Sequence, residues 1–129
     1  LIKPYVNSED MVLRVVATYA LARFGKLSES AVPLLEKELK LHNEQENAVT
    51  LWALTKIDPS PARAKAAIPA LTDLLTKHPN PDARVEAAIS LGEFGIKTPE
   101  ITQALKTAVK DKDPRVQKAA EEALKKLNS

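Results

Sequence analysis

Cysteine is absent from the 129 residues, which excludes a disulfide scaffold, thiolate-bound zinc, iron–sulfur ligation and a cysteine nucleophile. Glycine occurs only three times, and no Gly-rich phosphate loop, His-Glu-x-x-His zinc helix or Gly-x-Ser-x-Gly nucleophile elbow is present. No apolar run approaches the roughly 18 residues of a membrane-spanning helix, so no membrane insertion is expected. A formal net charge of +2 is too small to argue for polyanion binding by itself. The opening Leu1-Ile2-Lys3-Pro4 neither resembles a signal peptide nor starts with Met, so the chain reads as a piece of a longer protein. What is abundant is helix-forming material: 19 Ala and 17 Leu in a chain with 4% aromatic residues.

A repeat organises this material. Leu21, Leu54, Leu91 and Leu124 align at spacings of 33, 37 and 33 residues. Three positions later stand Phe24, Ile57, Phe94 and Leu127. One position earlier stand Ala20, Ala53, Ser90 and Ala123, and four earlier Ala17, Thr50, Ala87 and Ala120. These offsets share one helical face, which predicts a buried stripe. Eleven residues before each leucine sits Asp10, Asn43, Asn80 or Asp113, whose short side chains suit an N-cap. Pro81 and Pro114 follow two of these caps at the first helical position, where a missing N–H costs nothing.

Three further segments read as the first helices of two-helix units, with apolar steps Val32/Leu35/Leu39, Ile68/Leu71/Leu75 and Ile101/Ala104/Ala108. Thr98-Pro99 starts the last of them, and Ser28 or Ser30 is the candidate start of the first. Pro33 suits a first turn, whereas Pro69 fits either a first turn or a kink. The 37-residue spacing is assigned to a longer connection at Asp58-Pro59-Ser60-Pro61. Helix pairs with this period must stack to bury their stripes. The expected fold is therefore all-α, a right-handed α-solenoid of about four antiparallel helical hairpins. It is read as one domain with repeats near 1–25 (partial), 26–58, 59–96 and 97–129.

Residues 113–127 and 80–95 resemble the second helices of HEAT repeats, in particular the short, Ala-rich variety of bilin-lyase-like and many bacterial proteins. In that family a basic residue seven before the aligned leucine helps to tie successive repeats together. Arg14 and Arg84 match this pattern, while Asn47 and Gln117 do not. The resemblance implies a scaffold, with an active site as the rarer case.

At ~100° per residue, offsets of −6, −2 and +1 lie about 120°, 160° and 100° from the aligned leucine and point away from its core. The −2 column reads Tyr19, Trp52, Ile89, Glu122, with Val12, Val15 and Val85 beside it. Such a ladder is either a groove for a protein segment or an adjoining domain of the same chain, with Tyr19, Trp52, Ile89, Val15 and Val85 as contacts, or edge-of-core packing. An enclosed Trp52 rules out the groove. Lys118, Glu122, Lys125 and Lys126 make the last helix a polar end cap, which suggests a natural C-terminus and an N-terminus joined to more protein.

Catalytic chemistry is not expected, and no cofactor or metal site is assigned. His42 and His78 occupy matching places at first-helix ends, too far apart to share an ion. There they suit the C-terminal carbonyls. The Lys and Arg residues of the last repeat interleave with acids, so nucleic-acid backbone binding is a lesser alternative. The other alternative is an accessory or lyase-type enzyme subunit that handles a tetrapyrrole, as the resemblance to bilin lyases implies.

Overall fold

The computed structural model describes residues 5, 7, 9–39 and 44–129, the side chains of 44 and 45 excepted. These are helical: α1 Met11–Phe24, a 3-10 segment Gly25–Ala31, α2 Val32–Glu38, α3 Glu44–Ile57, α4 Pro61–Lys77, α5 Pro81–Phe94, α6 Pro99–Ala108 and α7 Pro114–Asn128. The chain divides into two compact units, Leu1–Ala67 and Ile68–Ser129, with the boundary inside α4.

Local chemistry sets the helix starts. The Asp10 carboxylate accepts from Val12 N–H at 2.9 Å and Leu13 N–H at 3.4 Å. Asn80 Oδ1 accepts from Asp82 N–H at 2.9 Å, Thr98 Oγ1 from Ile101 N–H at 3.2 Å, and Asp113 Oδ1 from Arg115 N–H at 2.9 Å. Each acceptor satisfies a donor that the helix itself leaves open. Pro81, Pro99 and Pro114 open their helices, and Pro33 lies in the first turn of α2. Asn43, Ser8 and His42 lie outside the described residues. Gly95 closes α5 at φ 70°, the left-handed conformation that a residue with a Cβ resists.

Three expectations about the elements change. Ser28 does not start a helix: its hydroxyl, buried, donates to Leu21 O at 2.9 Å, tying the 3-10 segment back onto the end of α1. The 37-residue spacing is not a long loop. Ser60 Oγ accepts from Arg63 N–H at 3.1 Å and Ser60 O from Ala64 N–H at 2.9 Å, so α4 begins at Pro61 and runs 17 residues against 7 for α2 and 10 for α6. Pro69 therefore falls inside a helix. There Thr72 Oγ1 donates to Pro69 O at 2.9 Å.

In the first unit α1 packs beside α3, and α2 lies against α3. In the second, α5 packs beside α7 and α6 lies against α7. The two units thus repeat one arrangement. The first core joins Ala17, Leu21, Ala31, Leu35, Leu54 and Ile57. In the second, Leu71, Leu75, Leu91, Ile101, Leu105 and Val116 are all essentially sealed from solvent. Each such side chain contributes about 1.5–3 kcal/mol relative to exposure. The aligned leucines face inwards: Leu21, Leu54 and Leu91 are buried and Leu124 half-buried. Phe24 departs from its column. It is 54% exposed.

Candidate functional site

The ladder expected on the solvent side is interior at its centre. Trp52 is 4% exposed, and its ring lies 5.1 Å from that of Tyr19, tilted by 49°. The groove centred on Trp52 is therefore not present. Ala22, Ala48, Thr55 and Gly92, which share its offsets, are buried too. The physical reason is lateral packing. A second helix lies against its own first helix and also against its neighbour in the same layer, so the face opposite the core is enclosed as well. Gly92 shows how close that approach is: a Cβ placed there would stand 2.9 Å from Ala123 Cα. Val15, Tyr19, Val85 and Ile89 are half-buried. In α7 the same offsets are exposed as Lys118, Glu122 and Lys125.

The exposed apolar surface lies elsewhere. Among the described residues, the large hydrophobic side chains that are exposed all fall between Tyr5 and Leu27. On α1, Val12 is 64% exposed, Val16 59% and Phe24 54%, with Leu27 at 89% just beyond. Steps of four place Val12, Val16, Ala20 and Phe24 on one stripe. In α3 the same offsets hold Val49, Ala53 and Ile57, all buried. The face that α3 closes by packing is open in α1. Val15 and Tyr19 border it on the side of Trp52. Sequence reasoning included Val12 only as a fringe and assigned Phe24 to the core. The missed signal is a second apolar stripe on α1, at Val12, Val16 and Phe24.

Charged residues brace both units in one way. Arg14 donates to Glu46 through Nε at 2.7 Å and Nη2 at 3.0 Å, and through Nη1 to Glu9 O at 2.9 Å. Arg84 donates to Asp111 through Nε at 2.9 Å and Nη2 at 3.2 Å, and through Nη1 to His78 O at 2.7 Å. Each guanidinium holds the backbone ahead of its own helix and, through a two-point fork, a carboxylate of the next repeat. The Glu46 hydrogen bond raises the Arg14 pKa further above its ordinary value. Gln117, which lacks the family's basic residue, keeps half of this contact by donating from Nε2 to Asp111 O.

His78 does not serve as a cation at a helix end. Its Nδ1 accepts from Asn80 N–H at 3.0 Å, and burial lowers its pKa, helped by the nearby Arg84 charge. Arg115 pairs with Asp113 at 3.1 Å and Asp82 at 2.8 Å. This pairing and the helix-capping bond hold the Asp113 carboxyl below the usual range. Lys106 and Lys110 line an open cleft of about 800 Å³ with Thr76, Gln103, Thr107 and Asp111. Among the described residues no three His, Asp or Glu side chains gather as metal ligands, and no helix is long and apolar enough to cross a membrane.

Comparison with known proteins places this architecture. The family described as HEAT repeats matches residues 68–129. Human deoxyhypusine hydroxylase, in a structure with glycerol, is similar with a TM-score of 0.55 and 24% identity over 98% of this chain and 42% of that one. The complex of CpcE and CpcF of phycocyanin lyase from a Nostoc species is similar with a TM-score of 0.56 and 22% identity, over 98% of this chain and 76% of the other. The chain thus spans less than half the length of the hydroxylase. No curated protein sequence matches it. The expectation that the chain is not an enzyme is overturned here, because both similar structures belong to enzymes by name, a hydroxylase and a lyase. Architecture gave no ground for that exclusion. The fold is the all-α solenoid of helical hairpins expected from the repeat, and residues 68–129 match the model of HEAT repeats.

Proposed function

We propose that this chain acts through protein–protein contact and that the outer face of α1, with Val12, Val16 and Phe24 at its centre and Val15 and Tyr19 at its border, is the principal contact surface. The observation that carries this reading is that, among the described residues, the exposed large hydrophobic side chains are confined to the stretch from Tyr5 to Leu27. A contiguous apolar face costs solubility and is a common mark of an interface. Val85 and Ile89, half-buried on α5, are the proposed contacts of the second unit. One of the similar structures is a complex of two chains, CpcE with CpcF, which agrees with contact between proteins as the mode of action.

The test places a photo-crosslinking residue at position 16, 89 or 118 in cells that express the chain. Discrete protein adducts from positions 16 and 89, mapped by mass spectrometry, are expected, with none from 118. Adducts from position 16 should vanish when Val12 is changed to Glu. Equal labelling at all three positions, or none at 16, defeats the reading.

A second reading is tetrapyrrole handling, favoured by the similarity in fold to phycocyanin lyase over 98% of this chain. Addition of a linear tetrapyrrole to the purified protein decides it. A shifted absorption spectrum supports this role, and an unchanged spectrum removes it.

A further inference from the structure

We infer that the cleft at the C-terminal ends of α4 and α6 binds an acidic, extended segment of a partner protein. Lys106 and Lys110 meet its carboxylates, and the Thr76 and Thr107 hydroxyls meet its main-chain N–H groups. The site lies wholly within the second unit and does not depend on the reading of α1.

Charge on one wall comes first. Gln103, Lys106, Thr107 and Lys110 follow one another at steps of three and four, so they share one face of α6 and its closing turn. That face borders the cleft of about 800 Å³, a volume in the range of ligand sites. Both lysines are exposed, and among the described residues neither pairs with a carboxylate. Among the described residues of the lining the one acid is Asp111, and it is already engaged. Its Oδ2 accepts from Arg84 Nε at 2.9 Å, and its Oδ1 from Arg84 Nη2 at 3.2 Å and Asp113 N–H at 2.8 Å. The Arg84 fork offsets its charge, so the cleft keeps the two positive charges of the lysines, which attract and orient an acidic partner. One helical turn sets their Cβ atoms about 5–6 Å apart, close to the spacing of about 6–7 Å between alternate residues of an extended chain.

The neutral groups decide which anion fits. Thr76 Oγ1 donates to Thr72 O at 2.9 Å and Thr107 Oγ1 to Gln103 O at 3.0 Å. Each hydroxyl has used its one proton and offers a ligand only lone pairs. A polyphosphate brings acceptor oxygens alone and is repelled by them, whereas a peptide brings an N–H at every residue except proline. The backbone agrees. At the end of α6 the N–H groups of Val109, Lys110 and Asp111 donate to the carbonyls of Leu105, Thr107 and Ala108. This turn therefore gives no free amides of the kind that cradle phosphate at a helix N-terminus. The described lining also holds no aromatic ring on which a base would stack.

Fluorescence anisotropy tests the site on the whole chain, with a labelled peptide of alternating Glu and Ala as probe and one of alternating Gln and Ala as neutral control. Saturable binding of the Glu peptide and none of the Gln peptide are expected, with amide NMR shifts confined to residues near 75–76 and 103–111. The double variant Lys106→Glu/Lys110→Glu is expected to raise the Kd at least tenfold. The same charge change in Lys118→Glu/Lys125→Glu should leave it within about twofold, since only position matters. Thr107→Val, which alters no charge, should raise it about threefold by removing an acceptor. All five positions are exposed, so circular dichroism should stay that of the parent in every variant. No saturable binding at several hundred micromolar, or equal weakening by the change at 118 and 125, overturns the inference. Inorganic triphosphate separates peptide from phosphate. If it displaces the probe at lower concentration than unlabelled Glu peptide does, and Thr107→Val leaves that displacement unchanged, the lysines serve a phosphate ligand and the peptide assignment is overturned. Crosslinking from position 16 is unaffected by any of these results, so this site and the α1 reading fail separately.

Discussion

Trp52 Nε1 and Ser90 Oγ, two of the buried polar atoms that have no partner among the described residues, make the clearest tests at the scale of single residues. Trp52 fills space between packed helices, so Trp52→Ala is expected to cost about 3–5 kcal/mol of unfolding free energy, as large aromatic truncations do. Because it is the one tryptophan, its fluorescence reports the same placement: emission blue-shifted in the folded chain, weakly quenched by iodide, and shifted to the red in urea. A strongly quenched, red emission from the native protein contradicts a buried indole. Ser90 sits 1% exposed in a column where the other repeats have Ala. Its hydroxyl was dehydrated on folding without compensation, so Ser90→Ala is expected to leave stability unchanged or raise it by about 1 kcal/mol, read from the urea midpoint at constant slope. The inward turn of Leu54 was legible in the sequence, and the position of Trp52 was not. The difference is physical. A helical wheel shows which residues share a face, but not that a helix in a layered array has a neighbour on its flank as well as beneath it.

Among the elements, what could be read was what is decided locally. Asp10, Asn80, Thr98 and Asp113 cap because the acceptor and the donors it satisfies lie within three residues. The length of α4 was not legible, since Asp58-Pro59-Ser60-Pro61 reads equally as a loop and as a cap followed by a first-turn proline. Between elements, close approach and ion pairing carry the expected effects. Gly92→Ala gains about 1 kcal/mol of helix propensity in isolation, yet its Cβ would meet Ala123 Cα at 2.9 Å. Backbone cannot yield as a flexible side chain does, so overpacking of about 1–3 kcal/mol is expected to win and the variant to melt below the parent. A higher melting temperature contradicts the close contact of α5 with α7. Arg84→Met strips Asp111 of its fork and leaves His78 O without that donor. A loss of about 3–5 kcal/mol is expected for breaking a mostly buried pair. Arg84→Lys should recover only part of it, because an ammonium cannot donate along two fixed parallel directions.

For the molecule as a whole, the repeat period in the sequence sufficed for the class of fold, because only stacking buries stripes of this spacing, but surface exposure depends on neighbours that the period does not specify. Among the described residues, the dependence of stability on acid pH follows from two groups, one whose ionisation the fold disfavours and one whose ionisation it favours. His78 has a folded pKa below its ordinary 6.5, chiefly from burial. The unfolded chain therefore takes up the proton first, and the stability that neutral His78 contributes is complete above about pH 6.5 and lost as the pH falls from there through the folded value. Asp113 has a folded pKa below its ordinary 3.8, chiefly from the Arg115 hydrogen bond. Its contribution is complete above the unfolded value near 4 and lost as the pH falls further. Stability is thus expected to be flat near neutrality, to decline gently below pH 6.5 and to decline again below about 4. Urea midpoints across that range read both limbs. His78→Gln should flatten the first and Asp113→Asn the second, and a His78 imidazole that titrates by NMR above 6.5 would reverse the sign of the upper limb.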